Sequence, residues 1–167
     1  MKNNFAEESD LKEDKNLENF SRPTSRRDFR SLAFHLIYAM DRFDYQISLE
    51  EIIQDFQSGF EVEIEPGSYA VQMAKGVIDS REELDQKIKP LLKNWKIERL
   101  GVCTRLILRM ALWELMQPDA ISSIVINEAI ELTKAFAEKD AFRFVNGILD
   151  EACKKYNLGD GSEEESE

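Results

Sequence analysis

The stretch I-S-S-I-V-I-N-E-A-I-E-L-T-K-A-F-A-E-K-D-A-F-R-F-V-N-G-I-L-D, from Ile121 to Asp150, decides the fold. It predicts two amphipathic helices joined by a short charged connection. In the first, Ile126, Ala129, Ile130 and Thr133 fall at i, i+3, i+4 and i+7, so one stripe can be buried. In the second, Phe144, Ile148 and Ala152 recur at four-residue steps beside Val145 and Leu149.

Outward from this pair the same grammar continues. Gln117-Pro118 stops a helix running from about Glu98 to Met116. Pro66-Gly67 opens a longer one, whose apolar Val71, Ala74, Ile78 and Ile88 lead to Pro90, where the ring must kink or end it. Ser48-Leu49-Glu50-Glu51 is a capping box for a helix to about Gln57, ended by Ser58-Gly59. Thr24 or Ser25 can cap a first helix from about Arg26 to Arg42. Six helices result, with no internal repeat and no strand alternation of useful length. Four prolines, seven glycines and 43% hydrophobic residues agree with an all-α fold around a substantial core.

Three parts are expected: an acidic tail at 1–21, a helical domain at 22–157 and a second acidic tail at 158–167. The Asp160-Gly161-Ser162-Glu163 segment lacks the alternating oxygen ligands of a calcium loop and reads as solvated tail. No metal or cofactor is expected. The longest apolar run, Leu106 to Met116, is interrupted by Arg109 and Glu114 and is too short to cross a membrane. The first twenty residues hold no apolar signal core, so a cytoplasmic protein is expected. Cys103 and Cys153 are spaced for neither a disulfide framework nor a zinc site, and read as buried reduced thiols.

The net charge of −11 argues against nucleic acid until its distribution is read. Residues 1–20 carry −3, residues 158–167 carry −5, and the region between them only −3. Within that region Arg22 to Arg30 carries +3, while Asp41 to Glu65 carries −7. The arginines are clustered on an otherwise acidic body.

Arg26, Arg27 and Arg30 fall at about 0°, 100° and 40° around the first helix, beside an apolar arc of Phe29, Leu32, Ala33, Leu36 and Met40. Cations near a helix N-terminus oppose its dipole, so an anionic ligand is a physical reason for them; a solvated charged face is the alternative. Arginine's planar fork suits phosphate. A second cluster, Lys139, Asp140, Arg143 and Phe144, opens the last helix. Asp140 is a good N-cap, and Arg143 with Phe144 sets a cation and a ring beside helix N–H groups. A core position is the alternative reading for Phe144.

Catalytic patterns are poor. His35 is the single histidine and stands mid-helix, and no Gly-rich phosphate loop, nucleophile elbow, H-x-x-x-H or C-x-x-C occurs. An enzyme is not expected.

I-N-E-A-I-E-L at Ile126–Leu132 and F-V-N-G-I-L-D at Phe144–Asp150, with R-R-D-F-R-S-L-A-F-H-L-I-Y at Arg26–Tyr38 and L-I-L-R-M-A-L-W-E-L at Leu106–Leu115, resemble the bacterial antitermination factors of the NusB family. The resemblance implies about seven helices in two packed three-helix subdomains, the long third segment dividing near Pro90. It implies binding, with the small-subunit ribosomal protein NusE, to the single-stranded boxA element of nascent ribosomal RNA transcripts, and indirect contact with RNA polymerase. By position it implies RNA contacts at Arg26, Arg27, Arg30, Asp140, Arg143 and Phe144, and a NusE surface at Tyr38 and Thr104. Asn127, Glu128, Asn146 and Gly147 read as structural, Gly147 as a point of close helix approach. Thr104 departs from the acidic residue of relatives, His35 from a glutamine and Phe29 from a small residue. Other readings are an accessory module like that fused to RNA methyltransferases, or a protein-only scaffold, with a homodimer covering the arginines as one form of it.

Overall fold

Ser25 shows why the first helix starts where it does. Its backbone is extended (φ −109°) and its hydroxyl accepts the Asp28 N–H at 3.1 Å, while the Asp28 carboxylate accepts the Ser25 N–H at 3.1 Å. This reciprocal box satisfies donors that helix geometry leaves orphaned. The computed structural model describes residues 23–160; Arg22, the acidic segment expected at 1–21 and residues 161–167 of the second one lie outside the described residues.

Among the described residues there are seven α-helices and no strand. They are α1 (Arg26–Arg42), α2 (Leu49–Phe60), α3 (Tyr69–Asp79), α4 (Arg81–Ile88), α5 (Val102–Leu115), α6 (Ser122–Phe136) and α7 (Ala141–Tyr156). Short 3-10 turns span Lys89–Leu91 and Ile97–Arg99. Two compact units are formed, one up to Gln72 and the other from Met73, dividing within α3. No helix among them is long and apolar enough to cross a membrane.

In the first unit α1 packs on α2. Its buried arc holds Leu32, Ala33, Leu36 and Met40 as expected, and also Phe34 and Ile37. Ser48 caps α2 by accepting the Glu51 N–H at 3.1 Å. Ser58-Gly59 does not end that helix: Phe56 and Phe60 pair their rings at 5.3 Å across the last turn and carry it on to Phe60. Glu61, in the left-handed region at φ 53°, closes it.

The long third segment divides at Ser80, not near Pro90. Ser80 leaves helical geometry (ψ 13°), and Arg81 donates from Nη1 to the Ile78 carbonyl at 2.8 Å, serving the end of α3. Glu82 and Glu83 then suit the first turn of α4. Pro90 sits in the following 3-10 turn, where its missing N–H is tolerated.

The second unit is built around α5, whose Leu106, Ile107, Leu108 and Leu112 are at most 1% exposed. Arg109, read as an interruption of the apolar run, is buried and forks onto Asp85 at 2.7 and 2.8 Å, a bidentate geometry that gives a strong charge-assisted pair. Gly76 is required because a Cβ there would run into the Trp113 indole. The buried stripe of α6 is Val125, Ala129 and Thr133; Ile126 and Ile130 are half-buried, so the helix is rotated from the expected face. In α7 Val145, Ile148, Leu149 and Ala152 are buried, and Phe144 lies half-buried at the stripe's edge. Tyr156 reaches across to donate to the Lys87 carbonyl at 2.7 Å.

Two smaller corrections follow. Cys103 and Cys153 are half-buried, not buried, and burial with neighbouring carboxylates pushes both thiols up. Order continues past Asn157: Ser122 donates its N–H to the Gly159 carbonyl at 2.9 Å, and Asp160 bridges to Ile121.

Candidate nucleic-acid interface

The first arginine cluster is narrower than its spacing suggested. Arg26 and Arg27 are exposed at the start of α1, and the Arg26 guanidinium lies 3.8 Å from the centroid of the Tyr69 ring. A cation over a ring is pre-ordered in a plane that can still present N–H edges to an anion. Arg30 is only 9% exposed. On the helical wheel it falls between Ile37 at about 20° and Phe34 at about 80°, both of them buried. The expected group of three exposed guanidiniums is therefore two.

His35 has its Nδ1 2.8 Å from the Ser31 carbonyl, and burial pushes its pKa down, which favours the neutral ring. Asp28, held by N–H groups of Thr24 and Ser25, lies below the usual carboxylate range. These groups build the helix around the arginines.

The second cluster opens α7. Asp140 stands at the N-cap position with φ 67°, and its side chain makes no cap hydrogen bond, so the expected side-chain cap is not formed. The left-handed backbone, which aspartate tolerates better than most residues, takes its carboxylate away from the capping geometry. Backbone groups partly replace it: Ala141 donates to the Glu138 carbonyl at 3.1 Å and Arg143 to the Asp140 carbonyl at 3.3 Å. The helix end thus offers fewer N–H groups to an anion than a simple N-terminus would. What it does offer is Arg143, exposed, with its guanidinium 5.6 Å from the centroid of the Phe142 ring.

Phe144 and Arg143 line an open cleft of about 320 Å³ with Gly147. Gly147 is exposed, and a Cβ added there meets nothing within 4 Å, so it is not a close-approach position. Asn127 and Asn146 are exposed as well. The turn Lys93–Trp95, absent from the sequence-based expectations, lines the same cleft. Its signal was an aromatic among basic residues, K-N-W-K-I-E-R, just after a proline-ended helix. A neighbouring cleft of about 460 Å³ is lined by Asn94, Trp95, Lys96 and Arg99.

The two residues expected to meet a protein partner differ. Tyr38 is 38% exposed, its ring 6.2 Å from Phe34. Thr104 is 3% exposed and donates its hydroxyl to Glu138 Oε2 at 3.1 Å. It has almost no surface to give a partner; its work is to hold Glu138 over the first turn of α5, where Gly101 leaves room that any Cβ would take from that carboxylate.

No group of three or more His, Cys, Asp or Glu side chains arranged to hold a metal is found among the described residues.

Comparison with known proteins joins these features. The model of the NusB family matches residues 27–154. The transcription antitermination protein NusB of Trichlorobacter lovleyi is 40% identical over 133 residues, covering 78% of this chain and 92% of its own. The solved NusB of T. maritima superposes with a TM-score of 0.69 at 29% identity, over 80% of this chain and 94% of its own. A chain from the crystal structure of antitermination factors NusB and NusE in complex with dsRNA gives 0.65 at 26% identity, over 78% and 97%. With its helices in place and the family match running from Arg27 to Lys154, the chain belongs to the NusB family.

Proposed function

We propose that this protein is a cytoplasmic, non-catalytic transcription antitermination factor that binds boxA RNA of nascent ribosomal transcripts together with NusE, and reaches RNA polymerase through that assembly. The observation that carries the reading is the start of α7: on a NusB-family chain, an exposed Arg143 and a half-buried Phe144 share an open cleft. A cation and a ring at one opening suit a phosphate and an unstacked base. The co-crystallised relative supports both NusE and RNA as partners.

Arg26, Arg27 and Arg143 are the direct phosphate ligands in this reading, and Phe144 the stacking ring. Asp140 shapes the turn that presents them. Arg30 acts from within α1 by positioning its neighbours. Tyr38 is the NusE-facing residue of the first unit.

The test is a titration of fluorescent boxA RNA with this protein, alone and with NusE, against a scrambled strand and a duplex of the same sequence. The heterodimer should bind the single strand more tightly than either protein alone. By linkage, NusE should then bind this chain more tightly when the RNA is present. Equal affinity with and without NusE would support a stand-alone RNA module, and preference for the duplex would remove the base-stacking role of Phe144.

A further inference from the structure

Trp95 is 60% exposed on a turn that is otherwise well anchored. Leu91 and Leu92 before it and Ile97 after it are at most 5% exposed, and the Trp95 N–H donates to the Leu92 carbonyl at 3.0 Å. Lys93 takes the left-handed conformation (φ 50°) that the tight reversal needs. The backbone therefore holds out, in a fixed place, the side chain that would gain most from burial.

A single exposed apolar residue is ordinary. Trp95 differs in its surroundings. It lines both clefts, one together with Phe144 and Arg143 and the other together with Lys96 and Arg99. With Lys93, the two clefts are lined by four cations against one carboxylate, Glu151. On a protein of net charge −11, that is a local field of the opposite sign. An exposed indole in clefts lined by cations fits a base with its flanking phosphates, since stacking uses the face and phosphate pairing the periphery. The volume of about 320 Å³ lies at the small end of ligand pockets, roughly 300–1,000 Å³, in keeping with one base and not a folded partner.

We propose that Trp95 stacks on a nucleobase of the bound strand, and that the RNA track runs from Arg143 and Phe144 across the Lys93–Lys96 turn to Arg99. This rests on the RNA-binding reading above and extends it to a base-binding subsite. Glu151 is the opposing element: it ties up Lys93 at 3.2 Å and repels a phosphate at that edge.

The experiment uses the full chain with NusE and a fluorescein-labelled single-stranded boxA RNA, intact and with one abasic site at each position in turn. Trp95→Ala should weaken the intact strand about 5- to 150-fold, the range that loss of one base stack gives. Trp95→Phe should keep most of the affinity. One abasic position should weaken the wild type yet leave Trp95→Ala unchanged, and Glu151→Gln should tighten binding. RNA should quench tryptophan emission in the wild type but not in Trp95→Phe, which retains Trp113; this comparison holds even if the alanine variant folds poorly. Affinity within twofold for Trp95→Ala and an unaltered abasic profile, while Arg143→Ala still weakens binding, would overturn the subsite and leave the RNA reading standing. A wild-type heterodimer that does not bind the strand would overturn both. Loss of NusE affinity in Trp95→Ala, with no change in the abasic profile, would assign the ring to protein contact and overturn the stack.

Discussion

The starts of α1 and α7 both carry arginines beside a helix N-terminus, and they are finished in opposite ways. At α1 the end is closed by its own side chains, with Ser25 and Asp28 exchanging hydrogen bonds. At α7 the N-cap residue, Asp140, is held at φ 67° with no side-chain cap, and Arg143 and Phe144 after it line an open cleft. The first arrangement invests in helix stability and offers charge only through guanidiniums. The second gives up a cap to shape a concave opening. The two arginine-bearing helix ends thus offer an anion different physics: charge carried by guanidiniums at α1, a concave opening with a cation and a ring at α7.

The largest expected effects separate stability from affinity. Arg30→Ala should cost about 1–3 kcal/mol of folding stability, because it removes a buried, partnered polar group. It should barely move the salt dependence of RNA binding. Phe144→Ala should show the reverse: about 1–3 kcal/mol of RNA affinity, with a smaller loss of melting temperature since the ring is half-buried. Chemical denaturation and RNA titration on both variants check the pair. If Phe144→Ala loses more stability than affinity, the ring is core and the contrast between the two helix ends collapses.

Salt dependence gives the next test. Each phosphate contact to a single strand contributes roughly −0.7 to the slope of log affinity against log salt. Arg27→Ala and Arg143→Ala should each make the slope shallower by about that amount, and the double variant by about twice it. An unchanged slope in Arg27→Ala would restrict recognition to α7.

The caps themselves come third. Ser25→Ala should destabilise by about 1 kcal/mol through loss of its cap, whereas Asp140→Ala should lose stability through backbone strain alone, since alanine tolerates the left-handed region less well than aspartate and no side-chain cap exists to lose. Asp140→Gly should be neutral or stabilising, by up to about 1 kcal/mol, because glycine adopts the left-handed region without the steric cost. Thermal unfolding of the three variants decides; a loss in Asp140→Gly as large as that in Ser25→Ala would show that both ends are capped alike.

Local rules were legible in the sequence and packing-dependent ones were not. Ser25 and Ser48 could be read as caps because the chemistry lies within four residues. The order and type of the helices followed from apolar spacing. Arg30 was misplaced because Phe34 and Ile37 were left out of the apolar arc, and with them the arc closes over its position. The break at Ser80 went unseen behind the stronger signal of Pro90, since an arginine serving a helix end is visible only in three dimensions. The burial of Thr104 was hidden for the same reason: its hydroxyl is bonded to Glu138, thirty-four residues away. Trp95 has no periodicity to announce it, and its meaning appears only when α7 lines the same cleft.

The smallest effect concerns how α1 responds to acid. His35 is pushed below its ordinary pKa by burial, so the unfolded chain takes up a proton on this ring before the folded chain does. Stability from the neutral ring is therefore complete above about pH 6.5, the ordinary histidine value, and falls as pH drops through the folded value. Asp28 acts in the same direction in a lower window: its carboxylate is held below the usual range, so its contribution is lost only when the folded form protonates. The His35 window opens below about pH 6.5 and that of Asp28 only below about 3.9, their ordinary values, which allows each to be read. Urea unfolding of the wild type between pH 7 and 5 should show a decline that His35→Gln flattens, since glutamine does not titrate. Asp28→Asn should leave that interval unchanged and flatten the loss at lower pH instead. A wild-type curve level down to pH 5, or an identical slope in His35→Gln, would mean that the ring does not report on α1. Acid lability would then have to be sought elsewhere in the molecule.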